Sequence, residues 1–433
     1  MLDKGSSLDS WLQYIASVHP REIELGLART QSVACRLGIS KPAPLVVTVA
    51  GTNGKGSCVR AMEAILQQSG YTTGAYTSPH IHQFNERIRI AGNPVDDQLV
   101  VNAFADIDVA REGESLSYFE FATLAALYLF SKSDVDVTLL EVGLGGRLDA
   151  VNIIDPDVSV IASIGIDHTD WLGEDIEAIA AEKAGIMREN TPIVFGGAVL
   201  PKAVSNAAKA LSAPLYRQGY EFSHEDEGQS WCWQGKSASG ESNVLSSLPI
   251  PALALPNVAT ALQALSLLPL ELQQSNIVLA LSVLRLAGRF DCRRDITSAR
   301  TVIFDVAHNP DAMELLAANL LRYRQQNKGS GRVAVVFSAM ADKDVRGMLR
   351  ALESCVDIWY IAQVDQARSM AADKVAQTMK SVRISGEMPH YRLFDSVELA
   401  YSAACEQLEQ EDIVLVTGSF FTVAAVYSLS EQV

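Results

Sequence analysis

Leu45-Val46-Val47-Thr48-Val49-Ala50-Gly51-Thr52-Asn53-Gly54-Lys55-Gly56-Ser57 passes from β-branched side chains into glycines that flank one lysine and stand beside a hydroxyl. β-Branched residues favour a pleated strand. Glycines let several backbone N–H groups converge on one anion, and the helical pattern from Cys58 to Ser69 adds the positive end of a helix at the same place. The stretch therefore predicts a strand, a phosphate cradle and a helix. Lys55 supplies a point charge for terminal phosphates, and Ser57 a hydroxyl for Mg²⁺. The general nucleotide loop has a longer gap between its outer glycines and a hydroxyl directly after lysine, whereas here Gly56 intervenes before Ser57. A plain glycine-rich turn would explain the glycines but not the lysine set between two of them.

Outward from this loop, periodicity predicts alternating strands and helices. Leu8 to Leu37 is mostly helical with a break at Pro20. Tyr71 to Thr77, Glu86 to Ile90, Val135 to Leu140, Val158 to Ile164 and Ile193 to Phe195 read as strands, and an acidic connection follows Ile90. Helices are predicted over Phe119 to Lys132, Glu177 to Met187, Ala203 to Leu211 and, after Pro249, Pro251 and Pro256, from Asn257 to Leu268. Tyr220 to Ser247 changes to Gly, Ser, Trp and scattered charge, which suggests a small antiparallel hairpin around Trp231 to Gly235. Alternation restarts beyond Gly288-Arg289-Phe290, with strands at Val302 to Phe304, Val333 to Phe337, Ile358 to Ala362, Tyr391 to Phe394 and Ile413 to Val416. The expected fold is α/β: a P-loop-type, doubly wound parallel sheet domain with a small antiparallel addition over residues 1–292, and a second, smaller doubly wound α/β domain over 293–433.

The 433 residues, 48% hydrophobic and 20% charged, suit a globular protein with sizeable cores. A net charge of −16 disfavours nucleic acid as a partner, since phosphate backbones need a basic surface. The six cysteines are scattered without a metal-site spacing and fit reduced thiols of a cytoplasmic protein. Neither a signal segment nor a run long enough to span a bilayer is evident, so no membrane partner is expected.

Ligands of parallel sheets collect at the carboxyl ends of strands, and several chemically able residues fall there. Glu141 ends an apolar strand, where it is either a buried metal ligand or a carboxylate facing solvent. His168 follows another strand; with Glu141 and a hydroxyl it could complete an oxygen-and-imidazole Mg²⁺ shell. Lys183, taken alone, reads as a solvated surface charge on a helix. Asp305-Val306-Ala307-His308-Asn309-Pro310 leaves a strand end together, as a site or as a capped helix start.

The loop Gly51–Ser57, Ser78-Pro79-His80, Glu141 to Asp149, Asp167-His168, Glu182 to Ile186 and Asp305 to Pro310 together resemble the folylpolyglutamate synthase and dihydrofolate synthase family of the Mur ligase superfamily. The likeness runs in order from about Trp11 to the C-terminus, and the departure in the phosphate loop is this family's own form of it. It implies ATP-dependent ligation of L-glutamate to dihydropteroate or to reduced folates through an acyl phosphate. ATP would be bound by Thr52, Asn53, Gly54, Lys55, Gly56, Ser57, Asn257, Arg289 and Asp305. Two Mg²⁺ ions would be held through Ser78, Glu141 and His168, with Lys183 carbamylated to help hold the second. Lys55, Lys183 and His308 would be the catalytic groups, and His308 with the Gly418-Ser419 turn the candidates for the glutamate site. Glu24, Leu25, Gly26, Ser117, Tyr118, Phe119, Glu120, Leu148, Asp149 and Ala150 would line the pterin site, next to Val151, where many relatives carry Thr. The resemblance also implies a monomer in which ATP contacts from both halves favour domain closure. Two other functions are weighed: a ligase acting on a UDP-sugar, which predicts a further domain ahead of the loop, and a non-catalytic nucleotide switch, which leaves Lys183 and Asp305 unexplained.

Overall fold

The strand Leu45–Ala50 lies in the interior of an eight-stranded sheet, paired in parallel with Val137–Glu141 on one side and Val158–Ile161 on the other. The structure, a computed structural model, describes residues 2–19, 24–327, 331–381 and 390–432. The chain divides into two compact units: one spans Met1–Ile166, Asp170–Pro251 and Leu255–Leu284, the other Arg285–Val433 with the short segments Asp167–Thr169 and Ala252–Ala254.

In the first unit the sheet order is Asn93–Pro94, Ile88–Ile90, Thr73–Tyr76, Val137–Glu141, Leu45–Ala50, Val158–Ile161, Ile193–Phe195 and Leu215–Arg217. All neighbours are parallel except the pairs made by Ile88–Ile90, which is antiparallel to both its partners. The helix Lys55–Gln68 carries the chain from Leu45–Ala50 to one side of the sheet, while Val158–Ile161 leads to the other. The crevice where the direction reverses is thus next to the glycine loop. Val46, Val47 and Val49 are all fully buried, as expected of a strand covered on both faces. One core joins Trp11, Phe104, Phe121 and Phe130 from the helices Leu8–Val18, Asp97–Ala110 and Tyr118–Ser131.

Three predicted features change. The acidic connection after Ile90 contains the helix Asp97–Ala110, whose N-cap Asp96 accepts from the Leu99 N–H at 2.8 Å; Val100, Ala103, Phe104 and Ile107 face the core between its acids. The hairpin is a three-stranded antiparallel sheet, Ser223–Asp226, Ser230–Lys236 and Ser242–Pro249. Trp231 and Trp233 alternate inward and donate their indole N–H groups to the carbonyls of Pro249 and Ala259 at 3.0 and 3.1 Å. The following helix begins earlier than expected, at Leu255, because Pro256 falls in the first turn, where its missing N–H is harmless.

The second unit holds a seven-stranded sheet in the order Tyr391–Leu393, Ile358–Ile361, Val333–Phe337, Ile413–Thr417, Thr301–Phe304, Asp291–Asp295 and Ser430–Gln432. The five predicted strands are parallel; Asp291–Asp295 and Ser430–Gln432 add an antiparallel edge that was not anticipated. No helix among the described residues is long and apolar enough to cross a membrane, and all six cysteines are free.

Candidate active site

Gly54 is the N-cap of the helix Lys55–Gln68 and takes the left-handed conformation, with φ 85°. A Cβ at this position would stand 2.4 Å from Asn257 Oδ1. Glycine is therefore needed for conformation and for space. Asn53 N–H donates to Ser163 Oγ at 3.0 Å, and Thr52 Oγ1 donates to the Gly165 carbonyl while accepting the Gly165 N–H, both at 3.0 Å. Lys55 Nζ curls back to the Gly51 carbonyl at 2.9 Å. Thr52, Asn53, Gly54, Lys55, Gly56 and Ser57 are thus fixed in one turn at a helix N-terminus, with Asn257 closing its side.

Glu141 lies over this turn. Its side chain is 4% exposed, so it is not a solvent-facing strand end. Ser78 N–H donates to Oε2 at 3.1 Å, and a Cβ on Gly56 would be 3.6 Å from the same oxygen. A buried carboxyl oxygen beside the first turn of a helix has the chemistry of a hard-cation site next to a phosphate. Among the described residues no three His, Cys, Asp or Glu side chains gather as a metal site; the expected ligands include two of these types and a serine. His168 is exposed, has φ 53°, and belongs to the segment grouped with the second unit.

Lys183 corrects what the residue suggests alone. It is 4% exposed on the helix Ile176–Ala184, on the same buried face as Ile179, Ala180 and Ala184. The face is closed by the glycine turn after Glu141: a Cβ on Gly146 would stand 3.1 Å from the Lys183 Cα. A buried ammonium is costly, and carbamylation would replace it by an anion able to meet a cation.

The segments expected to line a pterin site converge within the first unit. Arg29 bonds Glu24 and, at 3.1 Å, the buried Glu120 carboxylate; Gly26 N–H donates to the Leu148 carbonyl at 3.2 Å. Ser117 and Glu120 form a capping box that starts the helix Tyr118–Ser131 one residue before the predicted start. Phe119 lies against Gly143, where a Cβ would be 2.5 Å from the ring, and 6.0 Å from the Tyr76 ring centroid. Asp149 accepts from the N–H groups of Gly143, Leu144 and Val151 at 2.9 to 3.0 Å. Burial nevertheless pushes its carboxyl up to about 6. Ala150 is buried beside it. Leu25 belongs to the same segment, between Glu24 and Gly26.

In the second unit Asp305 accepts from the N–H groups of Phe290 and Ala307 at 2.8 and 2.9 Å, and burial raises its carboxyl against the opposing charge of Arg289. The Arg289 guanidinium lies 5.1 Å from the Phe420 ring centroid. His308 Nδ1–H donates to the Val306 carbonyl at 2.8 Å, and its Nε2 is 3.3 Å from Asp167. Lys343 and Asn309 also bond Asp167; burial alone would raise that carboxyl, but His308, His168 and Lys343 hold it well below the usual range. Asn309 caps the helix Pro310–Gln326, as the capped-turn alternative expects, and Gly418 N–H meets the Ala307 carbonyl at 3.1 Å. Lys343 had no signal of its own in the sequence beyond lying between two aspartates.

The Mur ligase middle domain family matches residues 49–250, and the Mur ligase, glutamate ligase domain family matches residues 288–420. The chain is 42% identical to the dihydrofolate synthase/folylpolyglutamate synthase of Escherichia coli, over 98% of this chain and 95% of the relative. It is 37% identical to that of Haemophilus influenzae over 99% of each. Among solved structures, Escherichia coli FolC in complex with DHPP and ADP superposes with a TM-score of 0.90 at 42% identity, covering 99% of both chains. The bifunctional synthase of Yersinia pestis complexed with AMPPNP and Mn ion gives 0.89 at 41% identity, again over 99% of each. With the loop, Glu141 and the buried Lys183 in place, the chain belongs to the dihydrofolate synthase/folylpolyglutamate synthase family of Mur ligases.

Proposed function

We propose that the protein ligates L-glutamate to dihydropteroate, giving dihydrofolate, and to reduced folates, giving folylpolyglutamates, with ATP consumed in each cycle. The substrate carboxylate attacks the γ-phosphorus of ATP and ADP leaves; the glutamate amine then attacks the acyl phosphate, and phosphate leaves as the amide forms. No protein nucleophile is needed, only positioning and neutralisation of charge on the transferring phosphoryl group. The observation that carries this function is the buried Glu141 carboxylate set over Gly56 and tied to Ser78 N–H. Lys55 and the N–H groups of Gly54 to Ser57 orient the phosphates, Thr52 and Asn53 hold the turn in place through Ser163, and Asn257, Arg289 and Asp305 contact the nucleotide. Two Mg²⁺ ions, held through Ser78, Glu141, His168 and carbamylated Lys183, supply further positive charge when bound. Glu24 to Gly26, Ser117 to Glu120 and Leu148 to Ala150 hold the pterin, and His308 orients the incoming glutamate.

The solved relatives support these partners: one is bound to DHPP and ADP, another to AMPPNP and Mn ion, and a third to Mn, AMPPNP and L-glutamate. Free thiols throughout fit a cytoplasmic enzyme, and we assign a monomer as the working state. Purified protein with ATP, Mg²⁺, dihydropteroate and L-glutamate should release ADP only when both acceptor and glutamate are present. Absence of glutamate-dependent turnover with dihydropteroate and with tetrahydrofolate would overturn the proposal.

A further inference from the structure

Arg87 is the last residue of the short helical turn Phe84–Arg87 that leads into the strand Ile88–Ile90, and it is 9% exposed. Its guanidinium carries a permanent charge, and burying such a charge is costly without an anion. The other arginines drawn into this unit have one. Arg89 bonds Glu63 at 3.0 Å, Arg111 bonds Asp108 at 2.7 Å, and Arg29 bonds Glu120 at 3.1 Å. No carboxylate among the described residues pairs with Arg87. Its Nε–H donates to His80 Nδ1 at 2.8 Å, and its guanidinium carbon lies 5.9 and 5.6 Å from the ring centroids of Phe84 and Tyr118. Ring faces offset part of the burial cost but offer no hydrogen-bond acceptor. Among the described residues neither terminal nitrogen has an acceptor, yet neither is one of the fully enclosed orphan atoms, so a ligand can reach them. Two free N–H edges on a fork held by rings and an imidazole suit a carboxylate.

The position narrows which carboxylate. Tyr118 belongs to the pterin segment Ser117–Glu120, and His80 stands two residues beyond Ser78, whose N–H bonds Glu141. Arg87 thus touches both the pterin segment, through Tyr118, and, through His80, the segment that bonds Glu141. Dihydropteroate brings one carboxylate, which must react. A folate acceptor ends in glutamate and brings two, of which one reacts and one does not. A guanidinium clamped on the reacting oxygen would lower its nucleophilicity, whereas the other carboxylate needs a counter-charge and no chemistry. Resting on the ligase function above, we propose that Arg87 is a specificity residue that binds the non-reacting carboxylate of the terminal glutamate on folate acceptors.

Equilibrium binding tests this without turnover. In the presence of a non-hydrolysable ATP analogue, the unaltered protein should bind tetrahydrofolate more tightly than tetrahydropteroate, which lacks that glutamate. Arg87→Gln should abolish most of the difference, weakening tetrahydrofolate by on the order of 10²-fold and tetrahydropteroate by less than about threefold. Arg87→Lys should retain part of the preference. A tetrahydrofolate whose α-carboxylate is amidated should bind the unaltered protein no more tightly than tetrahydropteroate does, a result independent of how any variant folds. Equal loss for both pterins, or an amidated ligand that binds undiminished, would overturn the assignment. Turnover failing while the binding preference holds would count against the ligase function and not against Arg87.

Discussion

Gly54→Ala separates what the phosphate loop asks of its backbone from what it asks of its surroundings. The left-handed conformation of Gly54, φ 85°, costs a residue with a Cβ roughly 1–2 kcal/mol. The new methyl would also meet Asn257 Oδ1 at 2.4 Å and Cγ at 2.9 Å, closer than real Cβ contacts come, so the Asn257 side chain or the turn must shift by about 1 Å. A displacement of that size at a reacting phosphate can cost up to about 10²-fold. Gly38→Ala is the matched control, because Gly38 has φ 72° but nothing within 4 Å of a Cβ. Urea unfolding should show both variants destabilised by about 1–2 kcal/mol, with Gly54→Ala the larger loss. In the ligase assay kcat/KM for ATP should fall by about 10- to 100-fold in Gly54→Ala and stay unchanged in Gly38→Ala. Equal destabilisation together with an unaltered kcat/KM for ATP in Gly54→Ala would refute the claim that this close approach to Asn257 shapes the nucleotide loop.

Lys183→Ala should lower turnover by on the order of 10²-fold or more, and millimolar acetate or another short carboxylate should restore part of it by occupying the vacated buried space; unimpaired activity would reject a carbamate there. Asp149 should leave a signature in stability against pH. Its carboxyl titrates near 3.8 when unfolded and is pushed up to about 6 by burial when folded, so the native state holds the proton longer. Stability from this group is complete below about pH 4 and is lost as pH rises through about 6, by up to roughly 3 kcal/mol. In urea titrations the difference between the unaltered protein and Asp149→Asn should therefore fall across this window and level off above it; a constant difference would show that the carboxyl is not held protonated.

How far such sites can be read from the chain alone depends on whether the deciding contact is local. Gly51 to Ser57 is legible because strand, glycine turn and lysine are contiguous and each residue type has a mechanical reason at its place. Glu141 is half legible: its place at an apolar strand end is visible, but the choice between solvent and burial is made by Ser78 and Gly56, which reach it only through the parallel pairing of Thr73–Tyr76 and Leu45–Ala50 with its own strand. Lys183 misleads for the same reason, since a helix with Glu177 and Glu182 looks solvated until Gly146 is packed against it. The edge strand Asp291–Asp295 hides because its polar residues Arg293 and Arg294 break the apolar pattern, and its buried Asp291 is satisfied by Tyr427, far along the chain. The helix Asp97–Ala110 hides behind its acids, although Asp96 ahead of Leu99 was a cap in plain view. Arg87 is the extreme case: in sequence it is one arginine near another, and what separates it from Arg89 is that no carboxylate among the described residues does for it what Glu63 does for Arg89 from the helix Lys55–Gln68. A missing partner is a property of the assembled unit, so residues poised for a ligand's charge are the ones a chain discloses last.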